Sequence, residues 1–225
     1  MKLKLIFKVI FCLSSVTVFA QMGNLSDIGL AGKPLMIDAE TKYSGTPYLE
    51  TSWHNGNIKL NNEYVFESVK IRYNVFQDVP EFNKDGQAMS LDPLKVREFT
   101  YQTYNGAPKN YVFKNGFTVP GFTPKNYFEV LYGGNIYLLK KHIKEIVNDP
   151  NATYGSVASK VISDRKELCY VIGENNSGLL KANKKSVLAL FPGKEKQIEE
   201  YVKANKLIYK FEEDLAKIFA FVDTL

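Results

Sequence analysis

Cysteine is nearly absent from this 225-residue chain, with two copies, and histidine is equally scarce at two. Cys12 lies in the N-terminal apolar stretch, so a chain shortened past that stretch keeps Cys169 alone and can form no internal disulfide. Neither HExxH nor a Cys/His cluster occurs, which removes the usual basis for a histidine-rich zinc site. G-x-G-x-x-G and G-x-S-x-G are missing too, so a dinucleotide-binding turn and a hydrolase elbow lack local support. No stretch after residue 20 reaches the roughly 20 apolar residues that cross a bilayer as a helix. Heptads, internal repeats and low-complexity tracts are also lacking.

What the chain does have begins at its N-terminus. Lys2, Lys4 and Lys8 form a basic start, and an apolar core follows from Val9 to Phe19, broken only by Ser14, Ser15 and Thr17. Val18 and Ala20 place small side chains at the −3 and −1 positions of a signal-peptidase site. Residues 1–20 therefore read as a cleavable signal peptide, cut between Ala20 and Gln21. The apolar core makes only about 16 Å of helix against the roughly 30 Å of a bilayer core, so no permanent anchor is expected. Cys12 follows the bulky Phe11 inside that core, which argues against lipidation. The expected product is an exported, soluble chain of about 205 residues, periplasmic or extracellular, large enough for a hydrophobic core of its own.

Charge agrees with that reading. The chain carries +5, but residues 1–20 hold three lysines and no acid, so the remainder carries +2. The basic balance belongs to the leader, and nucleic acid is not an expected partner. Lys181, Lys184 and Lys185 read as a solvated entrance to a helix.

The body of the chain alternates β-prone runs with turn signals. Val69, Ile71, Tyr73 and Val75 share one face of a strand, with Lys70, Arg72 and Asn74 on the other. Phe99 and Tyr101 repeat the pattern, as do Tyr111 and Phe113. Asn55-Gly56, Asp85-Gly86, Asn105-Gly106 and Asn115-Gly116 carry the positive-φ chemistry of tight hairpins. Gly133-Gly134-Asn135 and residues 174–178 read as slightly longer turns. Tyr127–Tyr132 and Ile136–Val147 are more continuously apolar, as in strands covered on both faces, although Lys140–Val147 also fits a helix.

After residue 183 the period changes. Ile198, Tyr201 and Val202 fall on one helical face, and Pro192-Gly193 separates them from the apolar run Ser186–Phe191. Leu215, Ile218, Phe219 and Val222 mark a last helix, with Glu212, Glu213 and Asp214 at its positive end. The predicted fold is α+β: an antiparallel β-meander over 45–183, as an open sheet, sandwich or partial barrel. Two to three amphipathic C-terminal helices at 184–225 pack on the same domain, and residues 21–44 are weakly patterned. An outer-membrane barrel is disfavoured, because such barrels commonly end on a strand and this chain ends in helices.

Gly45-Thr46-Pro47-Tyr48-Leu49, then Trp53 and Gly56, then Val69-x-Ile71-Arg72-Tyr73-Asn74 resemble the pattern of a group of uncharacterised exported bacterial proteins. The tail Lys184–Leu225 is similar as well. The resemblance implies export and a shared single-domain design. It implies no activity and transfers no functional residue.

Several residues imitate catalytic or metal sites. Cys169 sits in the apolar strand-like run Leu168–Ile172 and reads as a small buried hydrophobe, without a local base to make it a nucleophile. His54 reads as a turn-flanking residue and His142 as a surface or edge residue. Gly173–Gly178 imitates a P-loop, but Leu179 and Leu180 stand where Lys and Ser/Thr must be. Ser163-Asp164-Arg165-Lys166 matches S-x-x-K without its companion motifs. Between Glu81 and Asp92, oxygen-bearing Glu81, Asn83 and Asp85 alternate before Gly86, a spacing near that of a calcium loop, although a hairpin fits the flanks better.

No catalytic, cofactor-binding or metal-binding residue is therefore assigned, and no cofactor is implied. The leading expectation is an exported non-catalytic binding or structural module of the bacterial cell envelope, with envelope protein, glycan or lipid as candidate ligands. An exposed aromatic patch or an apolar cavity would mark it. The alternatives are an exported hydrolase whose carboxylate pair, or histidine with Cys169 or a serine, meets only in three dimensions, and a lipid or small-ligand carrier.

Overall fold

The computed structural model describes residues 25, 29–30, 42–104, 108–150, 159–173 and 176–225. The expected leader at 1–20 with its expected cleavage point, most of segment 21–44, the expected Asn105-Gly106 turn, and Glu174 and Asn175 lie outside the described residues. Twelve strands form one sheet: β1 (Gly29–Leu30), β2 (Lys42–Ser44), β3 (His54–Leu60), β4 (Val65–Asn74), β5 (Val79–Lys84) and β6 (Gln87–Leu91) come first. They are followed by β7 (Val96–Thr103), β8 (Lys109–Lys114), β9 (Phe128–Gly133), β10 (Ile136–Asn148), β11 (Ser159–Ile172) and β12 (Asn176–Leu179). Three helices close the chain, α1 (Lys184–Leu188), α2 (Glu195–Ala204) and α3 (Glu212–Val222).

Neighbours run β1-β6-β5-β4-β3-β7-β8-β9-β10-β11-β12, all antiparallel, and β2 joins β11 in parallel. The arrangement is the expected α+β meander with a helical tail. Lys140–Val147 is strand and not helix, because β10 pairs with β11 from Ile136↔Ile172 to Asn148↔Lys160. That long ladder outweighs the weak local helical preference of the segment.

Two turn readings need correction. Asp85-Gly86 does close the β5–β6 hairpin, with φ of 51° and 88°. Asn55-Gly56 instead lies inside β3, where Gly56 lets the strand approach β7. A Cβ there would fall 2.0 Å from the Thr100 carbonyl oxygen. Asn115-Gly116 ends β8 and opens the long connection to β9, in which Gly116 takes φ 88°.

The sheet curls around its aromatic face. Tyr73 on β4 and Phe113 on β8 have ring centroids 4.7 Å apart, although β3 and β7 lie between them in the ladder. Phe99 stacks on Phe113 at 4.8 Å and meets Tyr127 edge-on at 5.1 Å. Ile58, Ile71, Val96 and Leu91 complete this core, all fully buried. These tyrosines and phenylalanines fill a sheet face, each ring pair contributing about 0.5–1.5 kcal/mol beyond its burial.

A second core lies under the helices. Leu215, Ile218, Phe219 and Val222 of α3, with Ile198 and Val202 of α2, cover Ile136 and Leu138. Tyr201 stacks flat on Phe221 at 4.1 Å. Asn183, whose side chain accepts the Ser186 N–H, caps α1. At the far end of α3, Asp223 accepts Tyr132 Oη at 2.8 Å and the Asn135 N–H at 3.0 Å. The close approach passes over Gly134, where a Cβ would meet Asp223 Oδ2 at 2.1 Å. The opposite sheet face buries Phe128, Leu139 and Cys169 under Val119, Phe117 and Phe122 of the β8–β9 connection.

Candidate functional site

Chemistry-bearing side chains gather in two places, a buried seam and an open groove. The seam lies where the two hydrophobic cores meet. Phe113↔Glu129↔Lys140 form one row across β8, β9 and β10, so Glu129 stands between an aromatic core and the start of α3. The Glu129 carboxylate is 2% exposed; His142 Nε2 lies 2.6 Å from it, Lys109 Nζ 3.0 Å and Lys140 Nζ 3.5 Å. Burial alone would push this carboxyl up, but the His142 hydrogen bond and the Lys140 and Lys109 charges outweigh it and hold it at about 2. An ionised carboxylate only accepts hydrogen bonds, so His142 Nε2 carries the proton it donates. Burial lowers the His142 pKa despite that carboxylate. Lys140 also pairs with Glu212 at the first residue of α3, tying the sheet to the helical tail.

Beside the seam, on the opposite face of β10, Lys141 Nζ meets Asp78 at 2.7 Å and donates to the Tyr127 carbonyl at 2.9 Å. Asp78 also accepts from Tyr73 Oη and from Asn126 Nδ2. Desolvation lowers the Lys141 pKa in spite of Asp78. These polar groups satisfy one another in the interior. Their role is to lock the curl of the sheet and the docking of α3.

His142 is therefore neither a surface nor an edge residue: it is 5% exposed and bound to Glu129. The reversal is non-local, since its partner arrives from β9. His54 is not turn-flanking; it lies in β3, stacked 5.3 Å from Tyr101, with its Nε2 buried and unpartnered among the described residues. Cys169 is the buried hydrophobe that its sequence context implies, its thiol pushed up to about 12 by desolvation. It pairs with Leu139 and packs on the face opposite His142, so the two cannot act together. Ser163 and Lys166 lie in β11, where residues three apart face opposite sides. Residues 176–178 of the P-loop imitation lie in strand β12. In segment 81–92, Glu81 binds Arg72 and Asn74, Asn83 accepts the Gly86 N–H, and Asp92 accepts the Leu94 N–H. Lys184 and Lys185 are exposed in the first turn of α1, and Lys181 is exposed just before it.

The groove lies on the outer face of β3, β7 and β8 and measures about 410 Å³. Asn57↔Thr100↔Val112 form one row across the three strands and Gln102↔Asn110 the next, with Asn55 beside them. Gly56, Tyr101 and Tyr111 supply the floor; the two tyrosine rings turn inward to the core. The hollow forms where β3 is irregular. Its register with β4 shifts between Gly56 and Ile58, and Ser68 opposite takes φ 55°. Asn57 Oδ1 accepts the Ser68 N–H at 3.2 Å. Among the described residues no acidic or basic side chain is in the lining itself. Charge borders it closely: Lys70 of β4 pairs with Asn55, and the next row along, Lys59↔Glu98↔Lys114, is charged, with Lys114 and Glu98 paired at 3.2 Å.

Sequence reading misses the groove entirely. The alternating polar residues of β3, β7 and β8 are its signal, but nothing local says that the three strands are neighbours. The exposed aromatic patch that would mark a binding module is not seen among the described residues, where rings such as Tyr104, 70% exposed, and Phe211 at the start of α3 stand singly. No helix among the described residues is long and apolar enough to cross a membrane. No protein family, curated protein or solved structure matches this chain.

Proposed function

We propose that this protein is an exported, non-catalytic binding module of the bacterial cell envelope, and that its ligand occupies the groove on β3, β7 and β8. The observation that carries the reading is the groove's lining: amides and hydroxyls held on three neighbouring strands, without an acid or base among the described lining residues. The geometry of the buried Glu129–His142 pair speaks against a catalytic role, since its groups are enclosed and already bonded to one another. Export rests on the basic start, short apolar core and small −3 and −1 residues of 1–20.

The test is to produce the full chain in a bacterial host, fractionate the cells and weigh the purified product. An exported protein beginning at Gln21 is expected; a cytoplasmic protein retaining Met1 overturns export. The mature protein is then co-sedimented with isolated cell envelopes. Uptake that falls about tenfold in Thr100→Lys, which fills and charges the groove, supports the site. Turnover of esters, glycans or peptides that is lost in the same variant overturns the non-catalytic reading.

A further inference from the structure

We infer that the groove's ligand is a neutral, hydroxyl-rich glycan, an inference that rests on the binding-module reading above. Asn55, Asn57, Gln102 and Asn110 each carry a donor and an acceptor, and Ser68 and Thr100 add hydroxyls or backbone polar groups. Side-chain amides match the adjacent hydroxyls of a sugar, which need a donor and an acceptor side by side. Two of these amides are already oriented. Gln102 Oε1 accepts from Tyr104 Oη, and Asn57 Oδ1 accepts from the Ser68 N–H, which leaves the NH₂ group of each to donate.

Tyr104 supplies the second element of sugar recognition. Its hydroxyl is bonded to Gln102 at the groove while 70% of the residue faces solvent, so its ring stands at the rim as a stacking surface. The apolar Val112, beside Thr100 and Asn110, offers contact for a sugar's C–H face. A volume of about 410 Å³ lies within the range of roughly 300–1,000 Å³ for small-ligand sites.

Other ligand classes fit less well. Anionic polymers are recognised by sets of lysine or arginine; among the described residues none lies in the groove's lining, and Lys70 borders it opposite Asn55 as a single cation. Lipid tails need an apolar lining. A peptide added as a strand needs an unpaired edge; β3 and β7 are paired on both sides, and only the short Lys109–Val112 stretch of β8, beyond its two-residue pairing with β9, offers one. What remains is a ligand read by many neutral hydrogen bonds.

The experiment is calorimetric titration of the chain from Gln21 with cellohexaose, maltohexaose, xylohexaose and chitohexaose, at about 25 mM and about 500 mM salt. At least one is expected to bind saturably, with affinity changing less than about twofold between the two salts. Gln102→Ala and Tyr104→Ala should each weaken that binding about tenfold, the scale of one lost hydrogen bond or stacking contact. Lys196→Ala, on the exposed side of α2, should leave it unchanged. If no hexasaccharide binds while envelope uptake stays sensitive to Thr100→Lys, the glycan assignment fails and the groove stands. Hexasaccharide binding untouched by both groove variants, or loss of every form of uptake, overturns the groove itself.

Discussion

Glu129 and His142 stand 2.6 Å apart at the meeting point of two hydrophobic cores, one carboxylate and one imidazole, each about 95% or more buried. The carboxylate, on β9, serves positive charges or hydrogen-bond donors from two neighbouring strands, Lys109 of β8 and Lys140 and His142 of β10. Lys140 extends the same network to Glu212 of α3. A buried network of this kind is costly to break from one side, because the remaining charges stay enclosed.

Glu129→Gln should therefore destabilise the protein by about 3 kcal/mol or more, measured by urea unfolding at neutral pH. A loss under about 1 kcal/mol would show that Lys140 and Lys109 reach solvent when the carboxylate is gone.

Stability should fall on acidification in two stages. The His142 pKa is lowered from its ordinary 6.5, so below that value the unfolded chain takes a proton that the folded one resists, and stability declines. The Glu129 carboxyl is lowered from 4.5 to about 2, so its contribution is complete above about 4.5 and disappears as pH falls toward 2. Urea midpoints measured from pH 7.5 downward should show both declines. His142→Gln should flatten the first, and Glu129→Gln the second; unchanged profiles in both variants would contradict the assignment.

Gly56→Ala should cost about 1–3 kcal/mol or more, since the new methyl group meets the Thr100 carbonyl and Ile71 Cδ1 at 2.0 and 2.7 Å. Thermal unfolding checks it. An unchanged midpoint would mean that β3 can move away from β7 without loss.

Arg72 lies between two rings, its guanidinium carbon 3.7 Å from the Tyr48 centroid and 4.3 Å from that of Trp53. Its Nε and Nη2 both donate to Glu81 Oε2, at 2.9 and 2.8 Å. Arg72→Lys keeps the charge but loses the planar fork and the stacking, and should destabilise by about 1–2 kcal/mol with a shift in Trp53 fluorescence. Unaltered emission would argue that the sandwich does not persist in solution.

Cys169 should resist thiol reagents at pH 8 in the folded chain from Gln21, because its thiol is buried and pushed up to about 12. It should react at once in urea. Rapid labelling of native protein would show that the β8–β9 connection opens readily over Cys169.

By itself the sequence determined the elements whose cause is local. Period-two alternation at Ile71 and Tyr73, or at Tyr111 and Phe113, specifies a strand face, because successive side chains must point to opposite sides. The i, i+3, i+4, i+7 spacing of Leu215, Ile218, Phe219 and Val222 specifies a helix stripe for the same geometric reason. Asp85-Gly86 could be read as a turn since its positive φ angles are a property of two residues. Only the tertiary structure decided the rest. The same turn chemistry at Asn55-Gly56 became strand, because a neighbouring strand needed the space that a glycine leaves. His142 reads as a surface or edge residue until Glu129 is brought to it, and Asp78 and Glu212 arrive from two further segments to make the burial of Lys141 and Lys140 tolerable. The groove is decided at the same level: Asn57, Thr100 and Asn110 share a face only after β3, β7 and β8 become neighbours, and strand order follows from burial of the whole aromatic face.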